Sequence, residues 1–305
     1  MAYSRAFCPA HITGFFRVCN EERDPLKIGS RGAGVCLNRG IITTVEAKPA
    51  KENEIKIFVN MKVDNVKVTK DTAEKMLKIA NEKYSEKYSL TIRQEMQIPV
   101  YAGFGASGAA AFSTALAINE ALKLGLTKNK VGQIAHLIEV ENLTGLGDVI
   151  SQSVGGVEIR VKEGAPGYGV VDTIPVPENY VVVCGSEGVL KTKNVLSDKE
   201  KRARINLAGE QLINEILRDA HIEKMMKLSR EFMHKVKLAS EKVKKTLLKL
   251  EKEGFKDCSM VMLGESVFCI TPSNKAKKAY KIIKSCMPGG FIKICKIDFK
   301  GARLL

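Results

Sequence analysis

Residues 103–125, GFGASGAAAFSTALAINEALKLG, constrain this chain more than any other stretch. After its glycines the segment reads as a helix whose only charges are Glu120 and Lys123. A helix that is apolar all round has no face for water and belongs at the centre of a fold. The residues before it read differently. Tyr88, Leu90, Ile92, Gln94, Met96 and Ile98 alternate with more polar neighbours, so one face is buried and the other wet. Strands buried on both faces read as continuous apolar runs, which puts this one in an antiparallel or mixed sheet. Residues 96 to 119 carry no charge and are long enough to span a bilayer. Pro99, Gly103, Gly105 and Gly108, with Gln97, Ser107, Ser113, Thr114 and Asn119, make the run too broken and too polar for that. A membrane partner is not expected.

The loop GFGASG, 103–108, satisfies two phosphate-binding patterns. A Walker A loop needs Lys then Ser or Thr after its last glycine, and Ala109 and Ala110 stand there instead. A dinucleotide site needs a second strand after the helix, ending in an acid for the ribose. Here a second helix, 128–142, follows. What remains is physical. Glycines admit a ligand close to the backbone, and free N–H groups at a helix start attract an anion. The Ser107 hydroxyl adds a polar group at that point. A phosphate chain with a metal suits the loop; a tight strand-to-helix turn packed by small residues is the plainer alternative.

The rest of the chain divides by pattern. Strands are expected at 3–8, 33–47 and 55–59. A helix is expected at 71–83, with Asp71 and Glu74 as a capping box. Residues 145–156 read as a turn, a short helix and a glycine turn. The glycine- and proline-rich stretch 164–177 carries the expected domain boundary, separating 1–163 from 164–305. A strand at 179–185 follows, then a nearly all-helical region, 194–252. Strands at 258–270, a helix at 274–285 and a strand at 291–299 end the chain.

The formal net charge of +15 favours anionic partners. With no Trp and 6% aromatics, the chain is thin in base-stacking side chains. The lysine-rich segment 235–252 reads as an amphipathic helix with a solvated basic face, so nucleic acid is not expected. None of the eight cysteines has CxxC spacing, and the first residues lack the apolar core of a secretion signal. Reduced thiols in a cytoplasmic protein are expected.

IPVYAGFGASGAAAFSTALAINEAL, 98–122, resembles the second motif of the GHMP small-molecule kinases, P-x-x-x-G-L-G-S-S-A-A. Pro99, Gly103, Phe104, Gly105, Ala106, Ser107, Gly108 and Ala109 occupy its positions. FCPAHITGFF, 7–16, lies where the first motif stands. Pro9, Ile12 and Gly14 fit, His11 replaces an Arg or Lys, and Phe15-Phe16 replace Glu-His. GLGDVISQSVGG, 145–156, resembles the segment bearing the catalytic aspartate, which falls on Asp148. A fourth glycine-rich motif is reduced to Gly264 in MVMLGESVFC, 260–269. PAHITGFF, GSRGAGV and TGLGDV together resemble the archaeal pantoate kinase branch.

The resemblance implies a two-domain α+β fold, with mixed and antiparallel sheets packed against helices. The N-terminal domain would bind ATP. It implies phosphorylation of the 4-hydroxyl of pantoate for coenzyme A synthesis, with ATP and Mg²⁺. Eight residues are expected around the phosphates: Pro99, Gly103, Phe104, Gly105, Ala106, Ser107, Gly108 and Ala109. Ser107 and a carboxylate, Glu139 in preference to Glu141, would hold the metal. Asp148 would act as base, and it also suits an N-cap on a short helix. Pantoate carries a carboxylate, so its pocket needs a cation or free N–H groups. Arg31 is the first choice, with Ser30, His11, Thr13 and Arg17 as neighbours. Mevalonate or homoserine as acceptor, and an RNA-binding protein of related fold, stay open as alternatives; so does a homodimer.

Overall fold

The structure is a computed structural model that describes residues 2–64, 66–188 and 198–305. Strand β1 (Ala2–Cys19) and strand β2 (Gly29–Ala50) form one long antiparallel ribbon, broken by register shifts at Pro9/Ala10 and Thr13/Phe15. Both strands run well beyond 3–8 and 33–47. The ribbon serves two neighbours in succession. Residues 41–50 of β2 pair with β5 (Lys87–Met96), and residues 32–35 pair with β6 (Val157–Lys162). Beyond β5 lie β3 (Glu54–Val59), parallel to it, and the short β4 (Lys62–Val63). β6 carries β7 (Val170–Ile174) on its other edge.

Helix α1 (Lys67–Tyr84) starts four residues earlier than the capping box implied. Val66 precedes it with no side-chain cap, and Asp71 lies inside the helix, accepting from Lys67 Nζ and Asn142 Nδ2. Helix α2 (Ala106–Ala121) occupies the centre, with nearly every residue buried. Its hydroxyls are satisfied against the sheet: Ser113 Oγ lies 2.7 Å from Thr43 Oγ1, and Gln94 Nε2 donates to Thr114 Oγ1 at 3.1 Å. Gln94 therefore sits on the apolar face of β5 without an unmet polar group, as burial demands. Helix α3 (Lys128–Asn142) and helix α4 (Asp148–Val154) complete this layer.

The second sheet has the order β11-β8-β10-β9, all antiparallel. It comprises β8 (Tyr180–Ser186), β9 (Cys258–Met260), β10 (Ser266–Pro272) and β11 (Phe291–Lys296). The helical region expected from 194 begins at α5 (Lys199–Ile216), residues 194–197 lying outside the described residues. It is three helices, with α6 (Ile222–Val236) and α7 (Glu241–Lys252) completing it. The expected single helix over 235–252 is broken because Lys237 is left-handed and Ser240 caps α7. Helix α8 (Ser273–Cys286) packs on β8 and β11.

The chain then returns to the first sheet, where β12 (Arg303–Leu304) pairs with β1. On the way, Gly156 N donates to Asp298 O at 2.6 Å and Ala302 N to Gln152 O at 2.7 Å, fastening α4 from below. Seven of the eight cysteines are buried and all are free. Among the described residues no helix is long and apolar enough to cross a membrane.

Candidate active site

A cavity of about 760 Å³ opens between the glycine loop, the start of α1, the 142–148 turn and the loop joining β9 to β10. One end is mainly apolar, lined by Val59, Val66, Val68, Met96 and Val100, with Asp64 and Lys67 beside them. The other is polar, with Thr13, Ser30, Ser107, Thr144 and Asp148. Gly103 and Gly105 stand between them at φ +84° and +60°, a region that costs any side chain strain. A Cβ at Gly103 would also lie 2.7 Å from Val261 Cγ1. Gly105 is the N-cap of α2 and supplies no side-chain cap, so the first-turn N–H groups are left for a guest. Gly264, the remnant of the fourth motif, packs on this loop: a Cβ there would meet Ala102 O at 2.1 Å.

Gly103, Phe104, Gly105, Ala106 and Ser107 line the cavity. Gly108 and Ala109 are buried behind them in the first turn, and Pro99 stands outside the lining. Ser107 Oγ donates to Thr144 Oγ1 at 2.9 Å, and Thr144 Oγ1 lies 3.4 Å from Glu139 Oε1. Glu139 is 1% exposed, and burial and then the charge of Asp148 push its carboxyl well above the usual range. Glu141 is exposed and paired with Lys75, which separates the two candidates. A Cβ built at Gly145 would lie 2.9 Å from both Glu139 oxygens and 3.1 Å from Asp148 Oδ2. The two carboxylates thus converge on one crevice. Hard oxygen donors there, beside uncapped helix N–H groups, fit a phosphate-bound Mg²⁺, which takes few protein ligands.

Asp148 is the first residue of α4; its cap position belongs to Gly147, and no side chain caps the helix. Its carboxylate instead reaches His11, with Nδ1 2.6 Å from Oδ1. His11 is fully buried, so it lies behind Asp148 and outside the cavity lining. Its other nitrogen, Nε2, is 2.8 Å from Glu158 Oε1. Burial disfavours the charged ring, but hydrogen bonds to Asp148 and Glu158 prevail and raise its pKa.

Thr13 and Ser30 line the cavity, but Arg17 and Arg31 do not. Successive strand residues point to opposite faces, so Ser30 turns inward and Arg31 outward. Arg17 Nη1 donates to Glu210 at 2.7 Å; Arg31 Nη1 is 3.9 Å from the same carboxylate, and its Nε is buried without a partner. A third cation, Arg160, which sequence reasoning missed, also stands outside the cavity lining but directly behind Ser30 and Gly147, which form part of it. It is fully buried, and its Nε and Nη2 have no hydrogen-bond partner among the described residues. A Cβ at Gly147 would lie 2.1 Å from Ser30 Oγ and 2.9 Å from Arg160 Nε, so all three share one spot. Glu158 and Arg160 both lie on β6, in VEIRVK, where a Glu and an Arg two apart read as a wet face; no local pattern marks them as buried.

The family profile described as GHMP kinases N terminal domain matches residues 69–156. A pantoate kinase of Thermococcus kodakarensis is 36% identical over 92% of this chain and 91% of its own length. This chain belongs to the pantoate kinase family. A second relative of that name, from Methanocaldococcus jannaschii, is 34% identical over 92% of this chain and 97% of its own. A solved structure described as a phosphotransferase related to the CoA biosynthesis pathway superposes with a TM-score of 0.88 at 32% identity, covering 99% and 98% of the two chains.

Proposed function

We propose that this chain transfers the γ-phosphoryl group of ATP to the 4-hydroxyl of pantoate, giving 4-phosphopantoate and ADP in an archaeal cytosol. The observation that carries the acceptor is Arg160: a fully buried guanidinium whose Nε and Nη2 lack partners among the described residues, with Nε directly behind the cavity-lining Ser30 and Gly147. Arg160 is paired with Glu158 through Nη1, but buried N–H groups without an acceptor are costly, and an acceptor carboxylate relieves those at Nε and Nη2. This reading moves the acceptor's cation from Arg31 and Arg17 to Arg160, with Ser30 and Thr13 as neighbours. His11 serves the base instead of touching substrate.

The apolar end of the cavity receives the adenine, and the N-terminus of α2 with Gly103 to Ala106 receives the phosphates. Ser107 and Glu139, tied together by Thr144, would hold Mg²⁺, which would supply charge neutralisation on the transferring phosphoryl group. The acceptor oxygen bonds to the γ-phosphorus as the bond to the β,γ-bridging oxygen breaks. The hydroxyl proton passes to Asp148 Oδ2, the oxygen that His11 leaves free. The two sheets act as two domains with the cavity between them, β7 and β12 crossing the division near residue 164 to join the first.

The test is ADP release with pantoate, mevalonate and homoserine offered in parallel. Turnover on pantoate at least tenfold above the other two is expected; a preference for either of those would overturn the acceptor.

A further inference from the structure

Asp148 is the exposed end of a buried chain of charges. His11 joins its Oδ1 to Glu158 Oε1, at 2.6 and 2.8 Å. Arg160 Nη1 donates to that same Glu158 oxygen at 2.8 Å and to Ser151 Oγ at 3.0 Å. His11, Glu158 and Arg160 are fully buried, whereas the Asp148 side chain is 22% exposed. Arg160 Nη1 also lies 3.3 Å from His11 Nε2, farther than the Glu158 oxygen; a ring whose nearest neighbour at both nitrogens is a carboxylate oxygen carries an N–H on each. Two cations and two anions then balance inside the protein, and Glu139 faces the other oxygen of Asp148.

The chain crosses three strands, and β2 lies between β1 and β6. It passes over Gly34, where a Cβ would fall 2.3 Å from His11 Nε2 and 2.8 Å from Glu158 Oε1. Glycine at this position leaves the passage open. At one end of the path the unpartnered Nε of Arg160 lies beside Ser30 and its Nη2 beside Gly32; at the other, Asp148 Oδ2 faces the crevice at Gly145.

We propose that Glu158 is a positioning residue that couples anion binding at Arg160 to the orientation of Asp148, acting through His11. This rests on the kinase reading above. An acceptor carboxylate on the outer N–H groups shares the charge of the guanidinium, so Glu158 bears more strongly on the imidazolium. Hydrogen bonds in such a low-dielectric chain polarise one another. His11 then holds Oδ1 more firmly and leaves Oδ2 as the basic oxygen. The acceptor's own charge therefore raises kcat, beyond any effect on its affinity.

The experiment compares wild type and Glu158→Gln, each with pantoate and with its neutral primary amide, which keeps the 4-hydroxyl. In wild type the acid should exceed the amide in kcat by about tenfold or more. In Glu158→Gln that ratio should fall close to one, with KM for ATP unchanged. A purely structural role would scale both substrates together, and an unchanged ratio overturns the coupling. If Glu158→Gln does not fold, His11→Gln and Gly34→Ala take its place with the same expectation. A second measurement needs no acceptor: ¹⁵N NMR of the four histidines, with His11→Gln as the assignment control. Both ring nitrogens of His11 should carry protons at neutral pH, and a ring with one N–H overturns the relay. If wild type does not phosphorylate pantoate, the kinase reading fails, and the ring spectrum alone decides the relay.

Discussion

Ser107 carries one hydroxyl, and the fold spends it on Thr144 at the mouth of the phosphate loop. Ser107→Ala removes that oxygen from the crevice with little disturbance to a helix start built from small residues. A fall in kcat of roughly 10- to 1,000-fold is expected, with unfolding by urea nearly unchanged. Wild-type turnover in the purified variant would move Mg²⁺ elsewhere. Arg160→Lys tests the acceptor. A single ammonium cannot reproduce two guanidinium hydrogen bonds, so kcat/KM for pantoate should drop about 10- to 150-fold, roughly 1.5–3 kcal/mol. Steady-state kinetics with a fixed level of ATP measure it, and the same loss in Arg31→Lys but not in Arg160→Lys would reverse the assignment. Ser107 and Asp148 could be singled out in the sequence because each stands in a short glycine-bearing segment that resembles a family motif. Arg160 could not, because only Glu158 stands near it on β6, while His11 lies on β1 some 149 positions away and Ser30 on β2.

Elements show where local rules held and where packing overrode them. The glycine loop, α2, α3 and α4 fall at the expected places, since breakers and apolar runs mark them unambiguously. The start of α1 does not: Asp71 offered a cap, but packing against β5 and α3 drew four more residues into the helix. The lysine-rich stretch 235–252 was read as one helix because its apolar positions keep period through the break. Lys237, at φ 55°, ends α6 in a conformation that glycine adopts without cost. Lys237→Gly should therefore raise stability by about 0.5–1 kcal/mol, seen as a higher urea midpoint with an unchanged slope. A lower midpoint would mean that the lysine side chain contributes more than the backbone strain it incurs.

At the scale of the whole molecule, charge buried between sheets makes stability depend on pH. The folded-state pKa of His11 lies above its ordinary 6.5, because the hydrogen bonds to Asp148 and Glu158 outweigh burial. Its contribution is complete below about pH 6.5 and is lost as pH rises through the folded value. The Tm difference between wild type and His11→Gln should accordingly be largest near pH 6 and narrow on the alkaline side. A gap that widens with pH would mean that the ring is neutral in the native state. Sequence alone determined the central helix, the glycine loop before it and a mixed or antiparallel sheet, since each depends on periodicity or on residues within one short segment, while the α+β class followed from the resemblance of those segments to a known family. Only the tertiary structure decided that Arg160 is the cation buried beside Ser30, that His11 stands behind Asp148, and that Gly34 keeps the path between strands open. Those depend on β2 running between β1 and β6, and strand neighbours far apart in the chain leave no spacing for a single sequence to display.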